Sequence, residues 1–140
     1  MLRWNRTTKS ICVLGAIAAY FALAEWAKKS YVDQAPAGKV VVRFNRPFER
    51  YGKRGVISHD LKSVGSVDQF SDTADNNWRS PVLLYENDRP LGPGHSSHED
   101  IASLGGGRYS HWKGQGFLFS SSDNSDPNNN GRSYWAAVPH

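Results

Sequence analysis

One apolar run, Ile11–Ala27 (ICVLGAIAAYFALAEWA), constrains the chain more than any other feature. It suits two structures. As a secretory signal it has a basic leader in Arg3, Arg6 and Lys9, an apolar core, and a small-x-small site at Ala22-Leu23-Ala24. As an anchor it is short and carries Glu25 at its end, against a usual span of about 20 residues. The flanking indoles favour the anchor. Trp4 and Trp26 are 22 residues apart, about 33 Å along a helix at 1.5 Å per residue. That matches a hydrocarbon core of about 30 Å with an aromatic ring at each interface. Arg6 and Lys9 can reach outward from such a helix. Small residues at Gly15, Ala18, Ala19 and Ala22 permit close packing against another helix. The reading is an uncleaved helix over 11–29, preceded by a basic cytoplasmic tail over 1–10 and followed by a linker over 30–38. The slight excess of positive charge before the helix directs the N-terminus to the cytoplasm and the rest of the chain outward.

That placement explains the charge. The formal net charge is +4. Residues 1–37 hold five Lys/Arg against Glu25 and Asp33, whereas residues 38–140 hold twelve against eleven acids. The excess therefore sits at the membrane end, and no nucleic-acid partner is implied. Lys39–Lys62 is locally basic, with seven basic residues against two acids. It reads as a solvated strand face, the alternative being contact with anionic headgroups. Cys12 is the single cysteine. It excludes an intramolecular disulfide and any multi-cysteine zinc site, and within the apolar helix it behaves as a small apolar residue.

After the linker the chain is punctuated by turn residues. KVVVRF (39–44) is a β-branched run typical of a strand. A short strand is expected around Val56–Ser58. SDTADNNWRS (71–80) is a loop by composition. PVLLYEND (81–88) is the clearest strand, closed by a turn at Asn87-Asp88. The prolines and glycines of RPLGPG exclude a helix there. Ser96 and Glu99 have capping-box spacing, so a short helix is expected from there to about Leu104, stopped by Gly105-Gly106-Gly107. GFLFSSS (116–122) and RSYWAAV (132–138) complete the strands. The expected fold is a single N-terminal transmembrane helix followed by a small, sandwich-like, mostly antiparallel β domain over 39–140 carrying one short helix.

The candidate chemistry is sparse. Asp126-x-Asn128-x-Asn130-Gly131 matches the first half of a calcium loop, and Asp123 would have to add a ligand. Position 12 of that loop is Ala137, where a bidentate Glu is needed. The competing reading is a hairpin connection whose Asp and Asn side chains cap their own backbone amides. The latter reading is preferred, and no metal is assigned. His95, His98, His111 and Glu99 lack the spacing of a zinc enzyme and read as capping, solvent or strand-edge groups. There is no GxSxG, and the triple glycine follows a helix instead of opening one, so neither a nucleophile elbow nor a phosphate loop is present. Planar aromatics beside Asp, Asn and Arg remain: Arg108, Tyr109, His111, Trp112, Asp123, Asn124, Asp126, Arg132, Tyr134 and Trp135. Such a set suits a protein surface or a flat sugar. Trp112, Arg132 and Trp135 are the candidate partner anchors, with core packing as the alternative for both tryptophans.

Residues 79–134 contain an ordered series: an apolar strand ending in Tyr-Glu, Leu-Gly-Pro, Gly-Gly-Gly-Arg, Ser-His-Trp, Ser-Asp-Asn-Ser-Asp-Pro and Asn-Gly-Arg. This series resembles a segment of bacterial envelope and polysaccharide-related proteins. The resemblance implies an extracytoplasmic bacterial module near glycans, and no catalytic residue is carried over from it. The resulting expectation is a non-catalytic single-pass accessory subunit of a bacterial inner-membrane complex. Its β domain faces the periplasm, and its partners are an integral membrane assembly and the lipid bilayer. The alternatives are a membrane-tethered glycan-binding module and, after it, an envelope hydrolase. No cofactor is implied.

Overall fold

In a computed structural model the described residues are 6–30, 35–60 and 64–140, with the side chains of 6–9 and 28–30 excepted. Trp4, and with it the Trp4–Trp26 pair, lies outside them. The chain divides into two compact units, 1–33 and 34–140.

The first unit is one helix, α1 (Arg6–Ser30). Its segment Ser10–Ala27 has a mean hydropathy of 1.7 and is long and apolar enough to cross a membrane, a property that signal sequences share. Ile11, Leu14, Phe21, Leu23 and Trp26 are exposed within the unit, as are Gly15, Ala18, Ala19 and Ala22. The helix has no burial pattern of its own, because apolar residues surround it.

The second unit holds eight described strands in two antiparallel sheets of four. They are β1 (Val40–Arg43), β2 (Glu49–Tyr51), β3 (Gly55–Ser58), β4 (Leu83–Glu86), β5 (Arg89–Pro90), β6 (Tyr109–Trp112), β7 (Gly116–Phe119) and β8 (Tyr134–Val138). One sheet has the order β1-β8-β4-β5, the other β2-β3-β7-β6. Strand alternation turns Leu84, Tyr134, Ala136 and Val138 of the first sheet toward Val56, Tyr109, Phe117 and Phe119 of the second, forming one buried core. Phe44 and Phe48, just beyond β1, fill its open end. Phe44 lies 4.9 Å from Phe117, and Phe48 meets Phe119 and Tyr134 edge-on at 5.2 and 5.9 Å. Across the sheets, Phe119 and Tyr134 are 5.0 Å apart and the Tyr109 hydroxyl donates to the Val82 carbonyl at 3.1 Å.

A short helix, α2 (His98–Ser103), covers the outer face of the second sheet. Ile101 is fully buried there, near Leu118 and the Gly55 backbone, and Arg54 N–H donates to the Ala102 carbonyl. Gly52 makes this approach possible: its φ is +64°, and a Cβ there would stand 2.6 Å from the Ala102 Cβ. The helix starts one residue later than its capping box suggests. Ser97, not Ser96, is the N-cap and accepts from Asp100 N–H at 3.1 Å, so Asp100 takes the third position expected for Glu99. Ser96 is occupied elsewhere, its hydroxyl donating back to the Pro93 carbonyl at 2.8 Å. The glycine stop holds: Gly105 has φ +63° and its N–H donates to the Asp100 carbonyl.

Three strands had no expectation. β2 is exposed throughout, β5 is two residues long, and β6 reads Tyr-Ser-His-Trp without an apolar signal. β6 is built into the edge by β7 on one side and by loop residues Pro93, Ser96 and Asp72 on the other.

Candidate functional site

The stretch 120–135 is an elaborate turn. Asp123 Oδ1 accepts from Ser125 N–H at 3.1 Å, Asp126 Oδ1 from Asn128 N–H at 3.0 Å, and Asn130 Oδ1 from Arg132 N–H at 3.1 Å. These three successive i→i+2 turns are the self-capping expected of Asx-rich connections. The remaining groups are also engaged. Asn128 exchanges two hydrogen bonds with the Phe48 backbone, and Asn130 donates to the Tyr134 hydroxyl at 2.7 Å. Arg50 pairs with Asp126 at 3.1 Å. Arg132 bridges Asp123 at 2.6 Å and the nearly buried Glu86 at 3.0 Å. Glu86 also accepts from the Tyr134 hydroxyl, at 3.0 Å. The Arg132 bonds and those from Ser125 hold Asp123 well below the usual carboxylate range; bonds from Asn128 and Asn129 lower Asp126. The basic run explains itself in the same way: Arg46 donates to the Pro127 and Arg132 carbonyls and Arg54 to the Leu104 carbonyl.

The partner anchors are dispersed. Trp112 ends β6, whereas Trp135 lies half-buried on the outer face of the other sheet with the Arg43 guanidinium 5.4 Å above its ring. Arg132 belongs to the ion-pair network.

What the fold assembles instead is a cleft beside β6. Its cavity, about 510 Å³, is lined by Asp72, Asn77, His95–His98, Trp112 and Gln115. A smaller cavity of about 220 Å³ shares His98, Trp112 and Gln115 with it and continues over the outer face of the sheet to Tyr51, Ile57 and Leu118.

The cleft is organised around a buried carboxylate. Asp72 is 1% exposed. Its backbone is laced to β6, with its N–H donating to the His111 carbonyl at 2.9 Å and its carbonyl accepting from Lys113 N–H at 3.0 Å. Its Oδ1 accepts from Ser80 N–H at 2.8 Å, and its Oδ2 lies 2.7 Å from His95 Nδ1. A buried carboxylate needs such partners, since desolvation alone costs several kcal/mol. His95 Nδ1 is also 3.2 Å from the Asn77 carbonyl. A carbonyl and a carboxylate only accept, so Nδ1 carries a proton, and in the neutral ring Nε2 holds the lone pair. His95 Nε2 has no hydrogen-bond partner among the described residues. Trp78, 71% exposed, stacks on the imidazole at 4.6 Å and 28°.

The backbone that presents His95 is unusual. His95 has φ +52°, a left-handed conformation for a non-glycine residue. The Gly94–Ser96 strap is held to β6 by Tyr109 N–H to the Pro93 carbonyl and Ser96 N–H to the Tyr109 carbonyl, at 3.2 and 3.1 Å. The flanking turn of β6 and β7 is fixed by Gly114 N–H donating to Asp68 Oδ1 at 2.8 Å.

The three histidines therefore have three environments. His95 faces the cleft and His98 sits at its rim, edge-on to Tyr51 at 6.0 Å. His111 is in the core, stacked on Phe117 at 4.0 Å, with Nδ1 2.9 Å from the Ser80 hydroxyl. Burial lowers its pKa to about 4, against the opposing pull of Asp68 and Asp72. In the sequence, Asp72, Asn77 and Trp78 read as a loop by composition and nothing more. The only signal available was a tryptophan and paired asparagines inside a polar segment.

No known protein family, curated protein or solved structure matches the chain.

Proposed function

We propose that the protein is a membrane-tethered, extracytoplasmic binding module that takes a saccharide into the Asp72–His95 cleft. The observation that carries this reading is the composition of the cleft wall. Trp112 lines the cleft and the exposed Trp78 ring stacks on His95, so both present flat apolar surface, while the Asn77 and Gln115 side chains and His95 supply polar atoms along the same wall. Sugars combine apolar faces with equatorial hydroxyls, and sites for them combine the same two elements. The apolar length of α1 supports tethering, and the resemblance of residues 79–134 to polysaccharide-related envelope proteins supports a bacterial inner-membrane location with the β domain in the periplasm.

The test is retention of the full-length protein, in mild detergent, on arrayed bacterial polysaccharide fragments. Trp78→Ala and Trp112→Ala should each weaken retention about tenfold, the equivalent of about 1.4 kcal/mol. Trp78→Ala should leave melting unchanged because its ring is exposed. Retention unaffected by both substitutions refutes the cleft as the site.

A second reading, the accessory subunit of a membrane complex, is favoured by a different surface. The outer face of the β1-β8-β4-β5 sheet shows Leu83, Tyr85 and Trp135, with Arg43 over the indole. Aromatic and Arg groups of this kind anchor protein interfaces. Co-purification of a membrane partner that Trp135→Ala abolishes, at unchanged melting, would establish that role.

A further inference from the structure

The cleft contains more than a binding surface requires. A saccharide can be held by rings and amides alone. Here a buried carboxylate also fixes the tautomer of an imidazole that lines the cavity and leaves its Nε2 lone pair free for chemistry, and a left-handed backbone conformation is maintained to present the ring. Strain of this kind is kept where the surrounding structure enforces it, and it concentrates at functional positions. Asp72 is oriented in turn by Ser80 N–H and by two backbone bonds to β6.

We propose that the Asp72–His95 pair makes this cleft hydrolytic, with His95 Nε2 as the general base that directs water onto an acyl ester carried by the bound saccharide. The proposal rests on the reading of the cleft as a saccharide site. The choice of ester follows from what lines the cavity. Hydrolysis of a glycosidic bond uses two carboxyl groups flanking it, and Asp72 is the one carboxylate among the described lining residues, already committed to His95. A phosphate ester calls for cationic side chains, and the described lining has no Lys or Arg. An acyl ester needs one base, one water and neutral donors for the developing oxyanion. The side-chain amides of Asn77 and Gln115 supply such donors.

The step balances without a further reagent. His95 Nε2 takes a proton from water as the water oxygen attacks the ester carbonyl carbon. The carbonyl π pair moves onto oxygen, giving a tetrahedral anion facing the amides. Asp72 stabilises the imidazolium so formed. Collapse restores the carbonyl, breaks its bond to the sugar oxygen, and returns the Nε2 proton to that oxygen. The products are the free sugar hydroxyl and a carboxylic acid, which ionises in solvent. His95 is the catalytic residue, and Asp72 is a positioning residue.

The experiment follows acetate release by the full-length protein in mild detergent from 4-nitrophenyl acetate, acetylated xylan and O-acetylated peptidoglycan. His95→Asn is the informative variant, because Asn tolerates a positive φ and so keeps the strap intact. The expected result is release by the wild type that falls 10²- to 10⁴-fold in His95→Asn, a loss far larger than any change in that variant's retention of deacetylated glycan, with a melting curve showing that the variant still folds. Asp72→Asn should lower kcat while leaving KM near its wild-type value, and should shift the acidic limb of the pH–rate profile; a merely structural role would not move that limb. Glycan retention by a wild type that releases no acetate from any of the three probes overturns the hydrolytic proposal and leaves the binding reading standing. Failure to retain any glycan as well removes both. Full activity in His95→Asn also overturns the proposal.

Discussion

The buried His111 makes stability pH-dependent in a way that can be calculated. Its imidazole is 2% exposed, stacked on Phe117, and its pKa falls from 6.5 to about 4 because burial penalises the charged form. The unfolded chain therefore takes up a proton at pH 5–6 that the folded chain refuses. Stability from this group is fully present above pH 6.5, falls as pH drops through that value, and stops falling below about pH 4, where both states are protonated. Each pH unit within the window is worth about 1.4 kcal/mol. Integrated from pH 7.5 to 4.5, the loss is about 2.5 kcal/mol. Carboxylates titrate in the same range, so the quantity to measure is a difference. His111→Phe keeps a ring on Phe117 and leaves the Ser80 hydroxyl accepting from Val82 N–H. Urea unfolding of the full-length protein in detergent, followed by tryptophan fluorescence, gives both stabilities at each pH. The wild-type advantage over the variant should shrink, or its deficit grow, by about 2.5 kcal/mol on acidification. A change below about 0.5 kcal/mol, a fifth of the calculated loss, would refute the burial argument.

Three further outcomes are expected. Gly116→Ala should destabilise the β domain by at least about 2 kcal/mol, since φ is +75° and the new Cβ would meet the Ser58 carbonyl oxygen at 2.3 Å; a melting curve decides it. Arg132→Ala should cost about 3 kcal/mol by leaving Glu86 buried without its cation, and adding Glu86→Gln should recover part of that loss in a double-mutant cycle. A chelator should leave the melting temperature unchanged, because the Asp123–Asn130 oxygens bond within the protein; a calcium ion present at 100 times its dissociation constant would have contributed about 2.7 kcal/mol.

The sequence by itself determined every feature that depends on neighbours along the chain. Near-continuous apolarity from Ile11 to Ala27, interrupted by Glu25, declared a helix long enough to cross a membrane, because its pattern has no polar face to give to water. Runs such as Val40–Val42, Leu83–Tyr85 and Phe117–Phe119 declared strands, and three Asx residues, each followed two positions later by the amide it caps, declared the 123–132 turn. Local rules also had a local limit. Ser96 and Ser97 are equivalent caps in sequence, and the choice of Ser97 was made by Pro93, whose carbonyl takes the Ser96 hydroxyl. Only the tertiary structure decided the cleft. Asp72 and His95 are 23 residues apart in segments that read as ordinary loops, and β6 between the core and the cleft has no apolar signature. They meet because Asp72 and the Pro93–Ser96 strap both hydrogen-bond to the β6 backbone. Backbone bonds to an edge strand carry no side-chain signal, so the residues they bring together cannot be read from the order of residues alone.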